Sequence, residues 1–458
     1  MAGSHRERFE ALRAKEFSRL DENGHVYLDY TGSGLYAASQ LRQHDAFLEH
    51  HVLGNPHSES PASAAATEVV EGTRRRVLDF FKADPAEYEV VFTSNASASL
   101  KLVGESYPFD GGSRFTLMQD NHNSVHGIRE YAAAHGAAVS YLPLSADLRL
   151  DPSAELPPAG TGPSLFAFPA QSNFSGVKHP LELVGRARAA GYDVLLDAAA
   201  YVPTNPLDLG AVGADFACVS FYKMFGFPTG VGALLARKSA LARLRRPWFA
   251  GGTVEYVSVQ TPAHQLRVGA EAFEDGTLNF LGIAAVPAGL SFLQEVGMEA
   301  VRSRVASLTE ELLRVLQSVH HPDGTPGVVI YGPVTTEDRG GTVAFNVLDG
   351  EGRVVPYALV ERAASQENIS LRGGCFCNPG AAEVAFGMPA EASQRCFQSM
   401  PRGTFTLEEF SDCLGKGVPV GAMRVSLGVP SNDHDLLRLN DFLRAFVAAG
   451  AGSTASAV

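Results

Sequence analysis

Short apolar runs follow one another between residues 88 and 221, separated by loops and helical segments. Several runs are continuously apolar rather than alternating, which is typical of strands buried on both faces of a parallel sheet. The sequence therefore predicts strands in the following segments: YEVVFT (88–93), RFTLMQD (114–120), AAVSYLPL (137–144), SLFAFP (164–169), DVLLDAA (193–199) and DFACVSF (215–221).

The segments between these strands show helical periodicity. Segment 63–81 places Val70, Val77 and Phe81 on one stripe, and segment 181–191 ends at a glycine, a common helix stop. Repeated strand, loop and helix units predict a doubly wound α/β domain with a mostly parallel sheet. In such a domain, ligands bind at the carboxyl ends of the strands.

The pattern changes near residue 285. A long helical stretch precedes several short apolar segments and a final amphipathic helix, which together indicate an α+β unit packed on the first domain. We predict a large ligand-binding domain over residues 22–284 and a smaller C-terminal domain over residues 285–458. The N-terminal segment 1–21 is expected to join the smaller domain.

Composition narrows the class of protein. The 458 residues are 45% hydrophobic and 19% charged, as in globular proteins, and 50 acidic against 37 basic residues give a net charge of −13. A nucleic-acid or anionic-membrane surface would be repelled overall, so we expect no nucleic-acid partner and no membrane. No signal-like segment opens the chain, which predicts a cytoplasmic protein.

The cysteines are few and scattered. An odd number, five, with no spacing typical of a disulfide framework, indicates a reducing compartment and a reactive rather than structural role for any special cysteine. Cys375 and Cys377 stand two apart without a further Cys or His pair nearby, which is poor evidence for zinc, so no metal site is predicted.

Candidate chemistry lies at the predicted strand ends. The helix start at residues 94–99 is lined with small hydroxyl side chains and offers backbone N–H groups to an anion, although ordinary N-capping by Ser94 or Asn95 is the favoured explanation when this segment is taken alone. Asp197 ends one strand and Lys223 follows another. An anion site, a carboxylate and an amine on successive crossovers suit pyridoxal 5′-phosphate (PLP), which has a phosphate, a ring nitrogen and an aldehyde.

Several blocks of the sequence are recognisable. SFYKMFGFPTGVGALL, YLDYTGSGLY, FPAQSNFSGVKHPL, LDAAAYVPTNPLDL, FEDGTLNFLG and LRGGCFCNPGA stand in the order found in the class V aminotransferase superfamily. The chain resembles that family over residues 20–430, and within it the N-terminal cysteine desulfurase-like domain of molybdenum cofactor sulfurases. The resemblance implies the PLP-dependent transferase fold type I.

The resemblance also implies roles for single residues. Lys223 would hold the cofactor aldehyde covalently, Asp197 would pair with the ring nitrogen, His122 would stack on the ring, and Asn173 would bond the ring hydroxyl. Without the resemblance, the alternative interpretation of His122 is a surface histidine at a strand end. Three further residues would bind the phosphate, and a fourth would reach it from the other subunit of a homodimer: Ala96, Ser97 and Ser220, and Thr277.

The same resemblance predicts the reaction. Arg372 would bind the substrate carboxylate, and Cys377, five residues later, would attack the sulfur of cofactor-bound L-cysteine to give an enzyme persulfide and alanine. Arg424 matches another family arginine near the site, although a surface ion pair explains it nearly as well. Cys375 is either a second thiol or without a role.

Some alternatives stay open at this stage. A PLP-dependent C–S lyase, epimerase or aminotransferase would use the same cofactor with Cys377 as a bystander, and a cofactor-free interaction protein is a remote third possibility. Ala200 stands where many family members have a glutamine. No molybdenum-delivery segment is recognisable in the 458 residues, so we expect a separate protein or small-molecule sulfur acceptor.

Overall fold

The structure, a computed structural model, describes residues 2–400, 403, 406–415 and 418–450. Its helices are α1 (Ala2–Glu16), α2 (Arg19–Glu22), α3 (Ala38–His50), α4 (Pro61–Phe80), α5 (Ala96–Ser106), α6 (Asn123–His126), α7 (Ile128–Ala134), α8 (Leu183–Ala189), α9 (Leu209–Val212), α10 (Phe221–Phe225), α11 (Lys238–Leu241), α12 (Phe280–Ile283), α13 (Val286–Val296), α14 (Met298–Gln317), α15 (Tyr357–Gln366), α16 (Pro379–Ala385), α17 (Ala390–Ser399), α18 (Leu407–Leu414) and α19 (Asp433–Ala449), with a 3-10 helix at Gly269–Phe273. Its strands are β1 (Val26–Tyr27), β2 (Tyr88–Thr93), β3 (Arg114–Met118), β4 (Ala138–Leu142), β5 (Leu165–Pro169), β6 (Asp193–Asp197), β7 (Phe216–Ser220), β8 (Gly232–Arg237), β9 (Val254–Val257), β10 (His264–Leu266), β11 (Val328–Tyr331), β12 (Thr342–Val347), β13 (Ile369–Ser370), β14 (Arg372–Gly374) and β15 (Ala422–Ser426).

The central sheet has the strand order β2-β8-β7-β6-β5-β3-β4. The strands from β3 to β7 pair in parallel, which confirms the predicted mostly parallel sheet. Strand β8 is antiparallel to both β2 and β7, and the sequence did not predict it as a strand. It follows β7 through one short helix and a glycine-containing loop, and a connection this short returns the chain antiparallel rather than parallel.

The inner strands are buried on both faces. Along β7, Phe216 and Cys218 lie in one core cluster while Ala217 and Val219 lie in the other. All residues of β5 and β7 are buried, which explains why their sequences are continuously apolar. The predicted strand 215–221 ends one residue early, at Ser220, where the chain turns into α10.

The long helical stretch after residue 285 is two helices. Gly297 separates α13 from α14 with a φ of 82°, a left-handed conformation that favours glycine, and the two axes are bent by 69°. Among the described residues, no single helix is both long and apolar enough to cross a membrane. The bent pair Phe280–Val296 and Met298–Gln317 meets the length and composition test only when taken together.

A second sheet, β11-β12-β15-β14, is antiparallel throughout. Strand β1 pairs in parallel with β13, and Arg13 of α1 forms a 2.7 Å ion pair with Asp435 of α19. Residues near the N-terminus therefore contact elements beyond residue 285. The domain limits 22–284 and 285–458, and the assignment of segment 1–21, stay predictions.

The prediction of reduced cysteines without a structural disulfide was wrong. Cys396 of α17 and Cys413 of α18 form a disulfide across 17 residues. Their separation in sequence matches no common motif, and they meet because the two helices pack against each other. Cys218, Cys375 and Cys377 are free thiols.

Candidate active site

Most of the predicted site residues line one pocket at the carboxyl ends of the parallel strands. Strand β6 ends at Asp197, β7 leads into the helix that carries Lys223, and the loop after β3 carries His122. The pocket has a volume of about 150 Å³. The predicted residues in its wall are Ala96, Ser97, His122, Asn173, Asp197, Ser220 and Lys223.

Lys223 lies on α10, one turn of helix after β7. The helix stops at Gly226, whose φ is 77° and where a Cβ would lie 2.3 Å from the backbone nitrogen of Tyr36. The pKa of Lys223 is lowered, mainly by burial. Asp197 opposes this shift most strongly, the nearby Arg424 adds to it, and smaller opposing effects come from Cys377 and Asp29. A lowered pKa increases the fraction of neutral amine, the form that attacks an aldehyde.

The start of α5 faces the same pocket. Asn95 caps the helix, accepting the N–H of Ala98 at 3.0 Å, and the Ser220 hydroxyl accepts the N–H of Ala96 at 2.8 Å. A Cβ on Gly232 of β8 would lie 2.6 Å from the Cα of Asn95, so only glycine allows this close approach. The arrangement joins a helix dipole to hydroxyl groups, as a phosphate site requires.

His122 is half-buried beside Asp197 and Lys223, and is not the surface histidine that the sequence left open. Its Nδ1 accepts the backbone N–H of Ser124 at 3.1 Å, so a neutral ring carries its proton on Nε2. Burial lowers the pKa of His122 despite the nearby carboxylate, which favours that neutral form.

The segment Cys375–Asn378 forms a tightly held loop beside the pocket. Phe376 and Cys377 adopt left-handed backbone angles, with φ of 59° and 55°, although neither is glycine. The carbonyl of Phe376 accepts from Asn173 Nδ2 at 2.7 Å, and the carbonyl of Cys377 accepts from the N–H of Asn123 at 2.7 Å. The Cys377 thiol is exposed while its backbone is fixed.

Asn173 links this loop to the pocket. Its Oδ1 accepts from Asn378 Nδ2 at 2.9 Å, and its Nδ2 is the group that donates to Phe376. An amide nitrogen has two hydrogens, so one remains for a ring hydroxyl. The predicted bond to the cofactor stays a prediction, and the structure adds a contact that the sequence did not suggest.

Arg372 and Arg424 meet at one carboxylate. Arg372 donates to Oδ2 of Asp29 from Nε at 2.8 Å and from Nη2 at 2.6 Å, and Arg424 donates to Oδ1 at 2.8 Å. Arg424 is buried, lies 4.6 Å from the ring centroid of Phe376 and donates to the carbonyl of Asn173. The alternative of a surface ion pair at Arg424 is therefore wrong.

Thr277 is not in this pocket. It is exposed and lines a second pocket together with Thr93, Ser94 and Lys101, on the other side of the start of α5. A contribution from another subunit stays a prediction. In the part of the chain that the structure describes, no group of His, Cys, Asp and Glu side chains is arranged to hold a metal ion.

Sequence reasoning missed three residues with clear structural roles, namely Asp29, Ser124 and Asn378. Asp29 stands in the recognisable block YLDY and Asn378 follows Cys377 directly, so both lay within quoted motifs. Their partners are hundreds of residues away, and no local pattern indicates those contacts.

Solved structures share this fold. The apo structure of cysteine desulfurase from Thermococcus onnurineus NA1 has a TM-score of 0.76 at 24% identity and covers 96% of this chain and 98% of that chain. The cystine C–S lyase C-DES, in complex with its reaction product cysteine persulfide, has a TM-score of 0.68 at 18% identity, covering 92% and 98%. The fold is thus the PLP-dependent transferase fold type I.

Family membership follows from the sequence comparisons. The chain belongs to the aminotransferase class-V family, whose profile matches residues 26–439. The molybdenum cofactor sulfurase of Bos taurus is 40% identical over 464 residues, covering 95% of this chain and 51% of that protein, and that of Homo sapiens is 38% identical over 454 residues, covering 93% and 50%. The chain spans about half the length of these relatives.

Proposed function

We propose that this chain is a PLP-dependent cysteine desulfurase that converts L-cysteine to alanine and leaves the sulfur as a persulfide on Cys377. Lys223 would hold the cofactor aldehyde, Asp197 would pair with the ring nitrogen, and the start of α5 with Ser220 would bind the phosphate. The pocket wall supports this assignment because it combines an amine with a lowered pKa, a carboxylate and an anion site within one cavity.

The cofactor would supply an electron sink that stabilises negative charge on the substrate carbons. Side chains of the protein would then carry out the sulfur attack and the proton transfers. Cys377 Sγ attacks the substrate sulfur, an S–S bond forms, and the electron pair of the broken Cβ–S bond stays on Cβ, which takes up a proton. L-cysteine and the Cys377 thiol thus become alanine and the Cys377 persulfide, and neither an added oxidant nor a reductant is needed. His122 would hold a transferable proton on Nε2.

The observation that carries this proposal is the position of Cys377. It is exposed, its backbone carbonyl is held by Asn123, and the carbonyl of the preceding Phe376 is held by Asn173, which lines the same pocket as Lys223, so the thiol stands beside the cavity that contains the amine. An exposed thiol beside the pocket can both attack a bound substrate and meet a sulfur acceptor.

Substrate binding would use the two arginines. Arg372 is half-exposed and offers a guanidinium to the amino-acid carboxylate, while Arg424 lies behind it. The acceptor of the persulfide, a protein or a small molecule, would approach Cys377 from solvent.

We also propose a homodimer, while the cytoplasmic location stays a prediction from the N-terminal sequence. Exposed apolar side chains cluster in sequence near Thr277, including Trp248, Tyr256, Val259 and Val268, of which Val259 is 98% exposed. Exposed apolar side chains of this kind support a protein partner. A second copy of the chain would cover it and bring its Thr277 to the phosphate site.

The test is mass spectrometry of PLP-reconstituted protein after incubation with L-cysteine. We expect the mass of one added sulfur on Cys377, no such mass in Cys377→Ser, and retention of the mass in the matched variant Cys375→Ser. Alanine formation should be lost in Lys223→Ala. Sulfide release that survives in Cys377→Ser, with cofactor bound, would instead establish a C–S lyase and refute the persulfide assignment.

A further inference from the structure

Asp29 is the centre of the arginine cluster and has no role in the function proposed above. It lies in the turn after β1 and bridges two guanidinium groups that come from different strands, Arg372 on β14 and Arg424 on β15. Its side chain is only 9% exposed, so its charge interacts mainly with these two arginines rather than with water.

The geometry leaves only one of the two arginines available to a substrate. Both bonds from Arg372 to Asp29 use the Nε and Nη2 edge of the guanidinium and converge on one oxygen. The end of the guanidinium that carries Nη1 remains for a second carboxylate, and the side chain is 50% exposed. Arg424 is 3% exposed, and its Nη1 already donates to the carbonyl of Asn173. A substrate carboxylate therefore meets Arg372.

The charges of the cluster can be counted. Two guanidinium groups and one carboxylate leave a net charge of about one positive unit, which a single substrate carboxylate neutralises. An amino acid with a second anionic group would add a negative charge for which the cluster has no further cation. Without Asp29, the cluster would carry two positive charges and would tolerate that second anion.

We propose that Asp29 is a specificity-determining positioning residue that fixes the guanidinium of Arg372 and limits the pocket to amino acids whose only anion is the α-carboxylate. This inference rests on the amino-acid substrate and the cofactor of the proposed function. It predicts preference for neutral side chains, such as that of cysteine, over acidic ones such as that of a cysteine sulfinate.

The test uses binding rather than turnover. PLP-reconstituted protein is titrated with L-alanine and with L-aspartate, and binding is followed by the visible absorbance of the cofactor. We expect the wild type to bind L-alanine more tightly, and Asp29→Asn to move the ratio of the two affinities toward L-aspartate by about tenfold, since one unit of charge in a partly buried site is worth about that much.

Two variants separate charge from structure. Asp29→Glu keeps the charge but displaces the carboxylate, so both affinities should fall together while their ratio stays within about twofold. Asp433→Asn is the matched control, because Asp433 also bridges two arginines, Arg6 at 3.2 Å and Arg304 at 3.1 Å, but lies at the start of α19. Its ratio should equal that of the wild type.

The outcomes are decisive. If Asp29→Asn leaves the ratio of the two affinities unchanged, even where both affinities fall, Asp29 is a purely structural residue and the inference is overturned. If Asp29→Asn does not fold, a ratio shift in Asp29→Glu would overturn it equally. L-alanine and L-aspartate carry no sulfur, so a shifted ratio without persulfide formation from L-cysteine would refute the desulfurase proposal and leave this inference standing.

Discussion

Replacement of Asn378 by alanine tests the rigidity of the cysteine loop most directly. Asn378 is fully buried. Its Nδ2 donates to the carbonyl of Asp120 at 2.7 Å and to Oδ1 of Asn173 at 2.9 Å, and its Oδ1 caps α16 by accepting the N–H of Ala381 at 3.1 Å. One side chain therefore ties together the loop that carries Cys377, the pocket wall and the following helix.

The expected magnitude follows from those three bonds. Loss of the N-cap costs about 1 kcal/mol. Each of the two acceptors that loses its buried donor adds about 1 kcal/mol or slightly more. We therefore expect Asn378→Ala to lower the free energy of unfolding by about 2–4 kcal/mol. Left-handed angles at Phe376 and Cys377 each cost about 1–3 kcal/mol and persist only where surrounding contacts hold them, so the loop should relax as well.

The assay combines stability with chemistry. Urea unfolding of the reconstituted protein gives the free energy, and quenched mass spectrometry gives the rate of persulfide formation on Cys377. Asn432→Ala is the matched control, since Asn432 is also a buried N-cap with a second partner: its Oδ1 accepts the N–H of Asp435 and its Nδ2 donates to Glu10. That variant should lose comparable stability yet form persulfide at the wild-type rate.

One combination of results would refute this reasoning. If Asn378→Ala loses stability as expected but forms persulfide as fast as Asn432→Ala, then the fixed backbone of the loop does not position the Cys377 thiol. A stability loss below about 0.5 kcal/mol would show that the bonds of Asn378 are replaced by water or by other side chains.

Three further results are expected. Gly232→Ala should weaken retention of the cofactor and destabilise the fold by about 1–3 kcal/mol, because the added Cβ meets backbone. In the control Gly185→Ala, inside α8, the added Cβ meets nothing within 4 Å, so thermal unfolding should show a stabilisation of up to about 1 kcal/mol. Equal effects of the two variants would contradict the clash. Burial lowers the pKa of Lys223 below 10.5, so the folded apo-protein binds that proton less tightly than the unfolded chain does. The stability of the apo-protein should therefore rise with pH up to about 10.5. Urea midpoints should show a smaller rise in Lys223→Met. Thiol labelling should leave Cys396 and Cys413 unmodified until reductant is added, and their reduction should cost up to about 3 kcal/mol for a loop of this size; labelling without reductant would contradict the disulfide.

The sequence by itself determined most of the fold and the chemical character of the pocket. Strand and helix periodicity are local, so the six strands from β2 to β7 lie where the apolar runs predicted them. The residues that end those strands, such as Asp197, or closely follow them, such as Lys223, inherit their place at one edge of the sheet from its parallel topology. Within the central sheet, β8 is the strand that the sequence did not predict, because its glycine-rich approach resembles a loop and its antiparallel direction depends on its neighbours.

Only the tertiary structure decided which charged and amide groups meet. Asp29 and Arg372 are 343 residues apart, and Asn173 and Asn378 are 205 apart. The disulfide, too, joins cysteines on separate helices. A hydrogen bond or ion pair gains its energy over a few ångströms, and that distance is set by the packing of whole elements, not by any pattern along the chain. The residues that give the pocket its chemistry are therefore readable in sequence, while those that position and neutralise them are visible only in the folded molecule.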